Sequence, residues 1–126
     1  MLGNHDIVAF IATTEAGRTR DFYERALGLD FVEDSPFALV FNANGTMLRI
    51  QKVEKLQPAP YTALGWRVPD IRASVESLAS RGVRFERYEG VPQDDLDVWS
   101  SPSGARVAWF KDPSGNILSL TQFPSR

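Results

Sequence analysis

Cysteine is absent from this chain of 126 residues, and histidine occurs once, as His5. Without cysteine there can be no disulfides, no thiolate metal sites and no cysteine nucleophile. A single histidine also excludes the iron centre built from two histidines and one carboxylate, because even a symmetric dimer would supply only one His5 per site. These absences remove several common metal-binding and catalytic chemistries.

An excess of one charge and a long apolar run are lacking too. The formal net charge is −2, which gives no general attraction to nucleic acid or to anionic membranes. No apolar run approaches the roughly 20 residues that a membrane span needs, and the N-terminus does not resemble a secretory signal. The motifs G-x-S-x-G, the P-loop and G-x-G-x-x-G are missing as well. We therefore expect a cytoplasmic protein without nucleic-acid or membrane partners.

What the chain does contain is one pattern that occurs twice. Residues 7–32 and 62–86 each begin with a short apolar run, continue through a helix-like stretch and end near a Gly-x-x-Phe sequence. The glycines of these two sequences, Gly28 and Gly82, lie 54 positions apart. Two copies of one supersecondary unit predict two similar modules, with a cleft between them as the expected place for a small ligand.

Apolar periodicity and turn residues predict the order βαβββ for each module. In the first module we predict a helix at 15–27 and strands at 7–13, 29–33, 38–42 and 46–53, with Asn44-Gly45 as a hairpin turn. The two prolines at 57–60 mark a linker. In the second module Asp70 should cap a helix, and strands are predicted at 62–68, 83–88, 97–100, 105–110 and 117–122, one strand more than the order βαβββ contains. The modules span about 5–56 and 61–124 of a single domain, 1–126.

Three short motifs follow one another along the chain. They are Asp21-Phe22-Tyr23 with Leu27-Gly28, then Val68-Pro69-Asp70 with Arg81-Gly82-Val83, and finally the segment from Phe110 to Asn116. Together with the repeated βαβββ order, this set resembles the vicinal oxygen chelate superfamily of glyoxalase I, bleomycin-resistance proteins and extradiol dioxygenases. The resemblance covers nearly the whole chain. It implies an α+β fold of two βαβββ modules whose curved mixed sheets form a ligand cleft, but it leaves the chemistry open.

The resemblance also implies four positions at which metal-dependent members place their ligands. Counting from the motifs assigns them to Val8, to Gln51 or Arg49, to Ala63 and to Ser119. Valine, alanine and serine cannot replace the imidazoles and carboxylates that hold zinc, nickel or iron. We therefore expect neither a metal nor another cofactor.

Strand alternation predicts which side chains line the cleft, because residues i and i+2 share a face of a sheet. With Trp99 added as a stacking candidate, the expected lining residues are Val8, Phe10, Arg49, Gln51, Ala63, Arg67, Trp99 and Ser119. The opposite faces, which include Ile7, Leu48 and Trp66, should pack beneath the helices.

The polar and aromatic members of this set each have two interpretations. Arg49 and Arg67 are either fork donors for a carboxylate or phosphate, or solvated and ion-paired strand arginines. Trp99 and its neighbour Trp109 either stack on a planar ligand or belong to the core or to a dimer contact. The acidic residues around Asp94 are expected in a solvated loop, because their spacing does not match a calcium loop.

The leading hypothesis is a metal-free protein, similar to the drug-binding resistance proteins, that binds a small planar or anionic molecule as a homodimer. The alternative is a glyoxalase-like lyase, isomerase or hydrolase that works without the superfamily metal. It would need Glu54, Glu89 or Asp97 as a general base. A structural or regulatory partner domain is the third possibility.

Overall fold

The computed structural model describes residues 1–125. The chain forms two compact units that meet in sequence between Gln57 and Pro58, inside the predicted linker. No helix within residues 1–125 is long and apolar enough to cross a membrane.

The first unit is built on a four-stranded mixed sheet. Its strands are β1 (Val8–Thr13), β2 (Asp30–Asp34), β3 (Ala38–Ala43) and β4 (Thr46–Lys52), arranged in the order β1-β4-β3-β2. The strands β1 and β4 are parallel and the other pairs antiparallel. Between β3 and β4, Asn44 and Gly45 have φ angles of 51° and 93°, as a tight hairpin turn requires. The predicted hairpin is confirmed.

The helix predicted at 15–27 is present in two parts. An α-helix, α1 (Ala16–Asp21), continues directly into a π-helical segment, Phe22–Ala26. Within this wider turn the amide of Leu27 donates to the carbonyl of Phe22 at 3.0 Å. Tyr23 in the same segment is fully buried, and its ring centre lies 5.8 Å from that of Phe41 in β3. The helical segment therefore covers one face of the first sheet.

The second unit repeats this arrangement. Its strands β5 (Thr62–Arg67), β6 (Trp99–Ser100), β7 (Arg106–Lys111) and β8 (Ile117–Gln122) have the order β5-β8-β7-β6, again with the first and last parallel. The helix α2 (Ile71–Ser80) packs on β7 and β8. Asp70 caps it as predicted, since its carboxylate accepts from the amide of Ala73 at 3.2 Å. Two modules of the order βαβββ, and with them the α+β fold class, are confirmed.

The strand predicted at 83–88 is wrong. Only Phe85 makes a strand-like bridge there, to Phe110 at one end of β7, whereas β6 pairs with the other end of the same strand. The side chain of Gln93 replaces the rest of the ladder: it accepts from the amide of Tyr88 and donates to the carbonyl of Glu86. Two short segments therefore share the outer edge of β7. Each is too short to be recognised as a strand from the sequence.

Burial follows the predicted alternation inside the strands. In β4 the side chains of Leu48 and Ile50 are buried, whereas Met47, on the opposite face of the strand, is 44% exposed. In the second unit Trp66 lies on the helix-covered side, as predicted. It is half-buried, with its ring stacked 6.4 Å from that of Phe110. The expectation for Ile7 is wrong, because β1 begins one residue later and Ile7 is 78% exposed.

The loop that leads into β6 is organised by Asp94. Its carboxylate accepts from the amides of Leu96 at 2.8 Å and Val98 at 3.0 Å, and pairs with Arg72 of α2 at 2.8 Å. Burial raises the pKa of Asp94, but the two amides, followed by the guanidinium groups of Arg72 and Arg106, lower it by more, so the net pKa is below its usual range. Asp94 thus holds the segment that positions the start of β6.

We predict that Asp94→Asn destabilises the protein at pH 7 by about 1 kcal/mol, because the amide keeps an acceptor oxygen but loses the charge. A carboxyl with a lowered pKa in the folded state stabilises above its unfolded pKa of about 4, and this contribution is lost as the pH falls through the folded value. Urea unfolding from pH 7 downward should therefore show the gap between variant and parent closing below about pH 4. The control is Asp95→Asn, since Asp95 is more exposed and contacts Arg72 alone. If the difference in stability between Asp94→Asn and the parent does not change with pH, the charge of Asp94 is not the source of the stabilisation.

Candidate functional site

One face of the second sheet is left uncovered by α2, and we call it the open face. The opposite face is buried at Ala108, Phe110, Leu118 and Leu120. Cross-strand pairing places two adjacent rows of side chains on the open face: Gly65, Ser119 and Trp109 in one, and Arg67, Thr121, Val107 and Trp99 in the other. Four residues that the sequence analysis considered for the site therefore share this face, namely Arg67, Trp99, Trp109 and Ser119.

Three aromatic side chains form a cluster beside these rows. The ring centres of Trp99 and Trp109 lie 6.0 Å apart at an angle of 32°, and Tyr88 meets Trp109 edge-on at 5.6 Å and 76°. All three side chains are half-buried. We call Tyr88, Trp99 and Trp109 the aromatic cluster. Its geometry matches the offset and edge-to-face contacts that aromatic rings prefer.

A small cavity lies against the aromatic cluster. Its volume is about 260 Å³, and it is lined by Pro60, Tyr61, Thr62, Tyr88, Val91, Trp109 and Ile117. Ligand pockets commonly measure 300 to 1,000 Å³, so this cavity would suit a molecule of about one or two rings. Most of the lining residues are apolar or aromatic, and no charged residue from the described part of the chain is among them.

The hydroxyl of Tyr88 stands out within residues 1–125, because its oxygen is closed to solvent and has no hydrogen-bond partner there. Burial, with a smaller contribution from the negative charge of Glu86, raises the pKa of Tyr88 above its usual value. The hydroxyl therefore keeps its proton throughout the physiological range and can act as a donor.

Ser119 lies next to Gly65 on the neighbouring strand. A Cβ atom on Gly65 would approach the Ser119 hydroxyl oxygen to 2.7 Å, which is closer than real Cβ contacts. Ser119 is 7% exposed, so the open face offers little of its hydroxyl. The extra residue of a bulge in β5 is Ala63, so Thr62 rather than Ala63 lies opposite Ile117.

Arg67 is exposed at the end of β5. Its guanidinium carbon lies 5.0 Å from the ring centre of Phe123, close enough for a cation–π contact. Both residues border a second, shallow cavity of about 480 Å³, lined by Arg67, Val68, Pro69, Gln122, Phe123, Pro124 and Ser125. Within residues 1–125 Arg67 forms no ion pair.

The face of the first sheet opposite Leu48 and Ile50 carries the predicted residues of the first unit; it is exposed along β1 and at Met47, although Ala38 and Val40 of β3 are buried on it. Val8, Phe10 and Met47 on it are 39%, 56% and 44% exposed. Arg49 is half-buried in β4 between Phe10 of β1 and Val40 of β3. Within the described residues 1–125 its guanidinium has neither an ion-pair nor a hydrogen-bond partner. The side chain is therefore a cation on an apolar surface.

The residues at the superfamily metal positions do not fit a metal. Val8 and Ala63 carry no donor atom, and a hydroxyl and an amide are weak substitutes for imidazole and carboxylate. In the first sheet Val8 pairs with Met47, whereas Gln51 pairs with Ala12 four residues further along. Across residues 1–125 no group of three or more His, Asp or Glu side chains could hold a metal ion.

The three candidate general bases lie in polar surroundings. Glu54 and Glu89 are exposed. Asp97 is half-buried but its carboxylate pairs with the guanidinium of Arg87 at 2.8 Å. None of the three lines either cavity described above. A catalytic carboxylate would normally be partly desolvated beside the substrate.

Sequence reasoning missed the cavity residues Tyr61, Tyr88 and Val91. Tyr88 could not be found because its segment was predicted as a strand, whereas its position depends on the side chain of Gln93. Trp109, in contrast, was recognisable, since alternation along β7 places it on the face of Val107.

Comparison with known proteins identifies related folds. The family model described as Glyoxalase/Bleomycin resistance protein/Dioxygenase superfamily matches residues 6–120. No curated protein matches the chain. A solved superfamily member from Sphaerobacter thermophilus DSM 20745 is 24% identical, with a TM-score of 0.75 and coverage of 97% of this chain and 99% of that one.

Two further solved structures carry functional names. TnmS3, an antibiotic-binding protein from Streptomyces sp. CB03234, is 24% identical with a TM-score of 0.72, covering 98% of this chain and 99% of that one. A lactoylglutathione lyase from Agrobacterium tumefaciens is 16% identical with a TM-score of 0.68, covering 94% and 93%. At these identities the likeness concerns the fold alone.

The contact between Gly65 and Ser119 leads to a prediction for the open face. Gly65→Ala should destabilise the protein by about 1–3 kcal/mol, because the new methyl group collides with the serine hydroxyl. Combining it with Ser119→Ala removes that oxygen and should recover most of the loss. Gly17→Ala is the control, since a Cβ there meets nothing within 4 Å. Urea unfolding of the four proteins measures the effect, and an equal loss with and without Ser119 would disprove the contact.

Proposed function

We propose that this chain, which belongs to the Glyoxalase/Bleomycin resistance protein/Dioxygenase superfamily, binds a small planar molecule against its aromatic cluster without using a metal. The observation that carries the proposal is the pair Trp99 and Trp109 on the open face, beside a cavity walled by Trp109 and Tyr88. Flat aromatic walls suit an aromatic ligand, because stacking adds about 0.5–1.5 kcal/mol to the burial of apolar area.

An acidic group is the second feature that we propose for the ligand. Arg67 shares the open face with the aromatic cluster, and Arg49 lies on the face of the first sheet that also carries Phe10. Neither guanidinium has a carboxylate partner within residues 1–125. Guanidinium groups pair well with carboxylates and phosphates, so an anionic ligand would supply the missing partner to one of them. Val8, Phe10 and Gln51 would then offer contacts beside Arg49, as Ser119 would beside Trp109.

The metal-free part of the proposal is supported by donor chemistry. A bare divalent cation at Val8, Gln51, Ala63 and Ser119 would gain too little to offset its desolvation. The antibiotic-binding fold relative is one case in which this fold is named for binding rather than for a reaction. Antibiotic binding itself is not inferred for this chain.

A metal-free lyase, isomerase or hydrolase is the alternative and has less support. Such an enzyme needs a general base within reach of the substrate. The candidates Glu54 and Glu89 are exposed, and Asp97 is engaged by Arg87. Among residues 1–125 no carboxylate lines the cavity beside Trp109.

We predict that 2-naphthoic acid raises the thermal unfolding midpoint more than 2-naphthamide, its neutral isostere. A ligand stabilises the folded state in proportion to the logarithm of its concentration over its dissociation constant, so weak binding is detectable at high concentration. Trp109→Leu should weaken binding of both compounds by about tenfold, because the stacking surface is lost.

Three further variants separate the parts of this prediction. Trp66→Phe changes a tryptophan on the helix-covered side of the same sheet and should leave binding unchanged. Arg67→Gln and Arg49→Gln should each be tested for loss of the preference for the acid. If Trp109→Leu binds both compounds as tightly as the parent, the aromatic cluster is not the site. If the parent binds the acid and the amide with equal affinity, neither Arg67 nor Arg49 binds the acidic group of the ligand.

We also propose that the protein is a homodimer, in the cytoplasm. Support for the dimer comes from the exposed apolar residues Val8, Phe10 and Met47 on the first sheet, since a patch of this kind is often covered by a partner. Sedimentation equilibrium at micromolar concentration should give twice the chain mass of 14.1 kDa. Phe10→Glu should shift the equilibrium toward the monomer, and a parent protein that is strictly monomeric would refute the proposal.

A further inference from the structure

The shallow cavity at the C-terminal ends of β5 and β8 lies apart from the aromatic cluster. Its volume is about 480 Å³, and it shares no lining residue with the cavity beside Trp109. A volume of this size lies within the range of ordinary small-molecule sites. Among residues 1–125 its lining includes one cation, Arg67, and no acidic residue. The charge of the lining therefore favours an anion.

Arg67 has hydrogen-bond donors to offer in this cavity. Its guanidinium carbon lies 5.0 Å from the ring centre of Phe123, and within residues 1–125 it has no carboxylate partner. The acid nearest to it in the sequence, Asp70, does not line the cavity, and its carboxylate accepts from the amide of Ala73. An aromatic ring attracts the positive charge but does not replace the oxygen acceptors that a guanidinium can bind. The N–H groups of Arg67 are therefore available to an anion.

Gln122 presents a donor rather than an acceptor to the same cavity. Its side-chain oxygen accepts a hydrogen bond from the amide of Ile71 at 2.9 Å, which ties the end of β8 to the first residue of α2. Its side-chain nitrogen has no partner within residues 1–125 and, unlike the Tyr88 hydroxyl, is not closed to solvent. The part of Gln122 that remains accessible is thus an NH2 group, which does not oppose an anion.

The other lining residues are mostly apolar and are held in place. The amide of Val68 donates to the carbonyl of Thr121 at 2.9 Å, which extends the pairing of β5 with β8. Pro124 packs against the turn at Gly104, where a Cβ atom would lie 3.6 Å from the proline Cβ. Because proline restricts the backbone, Pro69 and Pro124 also stiffen the segments that follow the two strands. The cavity therefore combines one cation with a stiff apolar lining.

We propose that this cavity binds a small aliphatic monocarboxylate, with its carboxylate on the guanidinium of Arg67 and its apolar body against Val68, Phe123 and the two prolines. A guanidinium matches the geometry of a carboxylate, and one cation balances one negative charge. This proposal goes beyond the proposed function, because it concerns another cavity and another class of ligand. Arg67 is also one of the two arginines proposed for the acidic group of the planar ligand, and the experiment separates the two roles.

The test titrates cyclohexanecarboxylate and its neutral isostere, cyclohexanecarboxamide, into isotope-labelled protein at pH 7. Proton–nitrogen NMR spectra follow the side-chain NH2 signals of Gln122, which report on this cavity. The acid should bind about 2- to 5-fold more tightly than the amide, because an exposed ion pair contributes modestly. Arg67→Gln should abolish this preference. Arg84→Gln is the matched control and should keep it, since Arg84 is exposed in the same unit and lines neither cavity.

Three results would overturn this second site while leaving the proposed function intact. One is the absence of any shift of the Gln122 side-chain signals, or equal affinity of the parent for acid and amide. Another is a preference for the acid that persists in Arg67→Gln. The third is loss of acid binding in Trp109→Leu, which would place the acid on the aromatic cluster. Binding at the second site should instead be the same in Trp109→Leu as in the parent.

Gln122→Glu gives a second, independent readout. The variant keeps a side-chain oxygen for the amide of Ile71 but replaces the NH2 group with a negative charge in the cavity. The acid should then bind no better than the amide, because like charges repel. The backbone amide signal of Phe123 replaces the lost Gln122 signals as the reporter, and the ratio of the two affinities within the variant does not depend on its stability. An acid preference equal to that of the parent would show that the carboxylate does not bind in this cavity.

Discussion

The structure of each unit depends on the parallel pairing of its first and last strands. The register of β1 with β4 sets Val8 beside Met47, and that of β5 with β8 sets Gly65 beside Ser119. A shift of either register by one residue would turn every side chain of the moved strand to the other face. The apolar side chains that pack beneath the helices prevent this shift, so the core also determines which residues remain on the opposite faces.

This dependence explains what could be predicted from the sequence. Strand alternation identifies Leu48 and Trp66 as helix-facing, and Arg49 and Arg67 as residues of the opposite faces, because it uses local apolar patterns that the core enforces. The strand at 83–88 could not be judged in this way. Its apolar residues resemble a strand, but the pairing edge of β7 is divided between Phe85 and β6, and the chain order does not show this competition.

The features that matter most for the candidate site are the least local. The missing partner of the Tyr88 hydroxyl follows from contacts with Gln93 and with Trp109, which lies 21 positions later in the chain. A bulge moves Ala63 out of the simple alternation of β5. It likewise cannot be recognised from the sequence, because the residues around it are ordinary strand residues. Family resemblance predicts the fold, but a polar group without a partner is visible only once the neighbours are placed.

The distribution of charge around the aromatic cluster bears on the proposed binding role. Glu89 beside Tyr88 is exposed, but the other three carboxylates near the aromatic cluster are already engaged: Asp94 accepts hydrogen bonds from amides of its own loop, Asp97 pairs with Arg87, and Glu86 pairs with Lys111. Each would lose a stabilising contact if it turned to accept a proton from a substrate. Within residues 1–125 the hydroxyl of Tyr88 is buried without a hydrogen-bond partner, and the guanidinium groups of Arg49 and Arg67 have no carboxylate partner. A surface with aromatic rings and guanidinium groups that lack carboxylate partners suits the proposed binding of a flat anionic ligand.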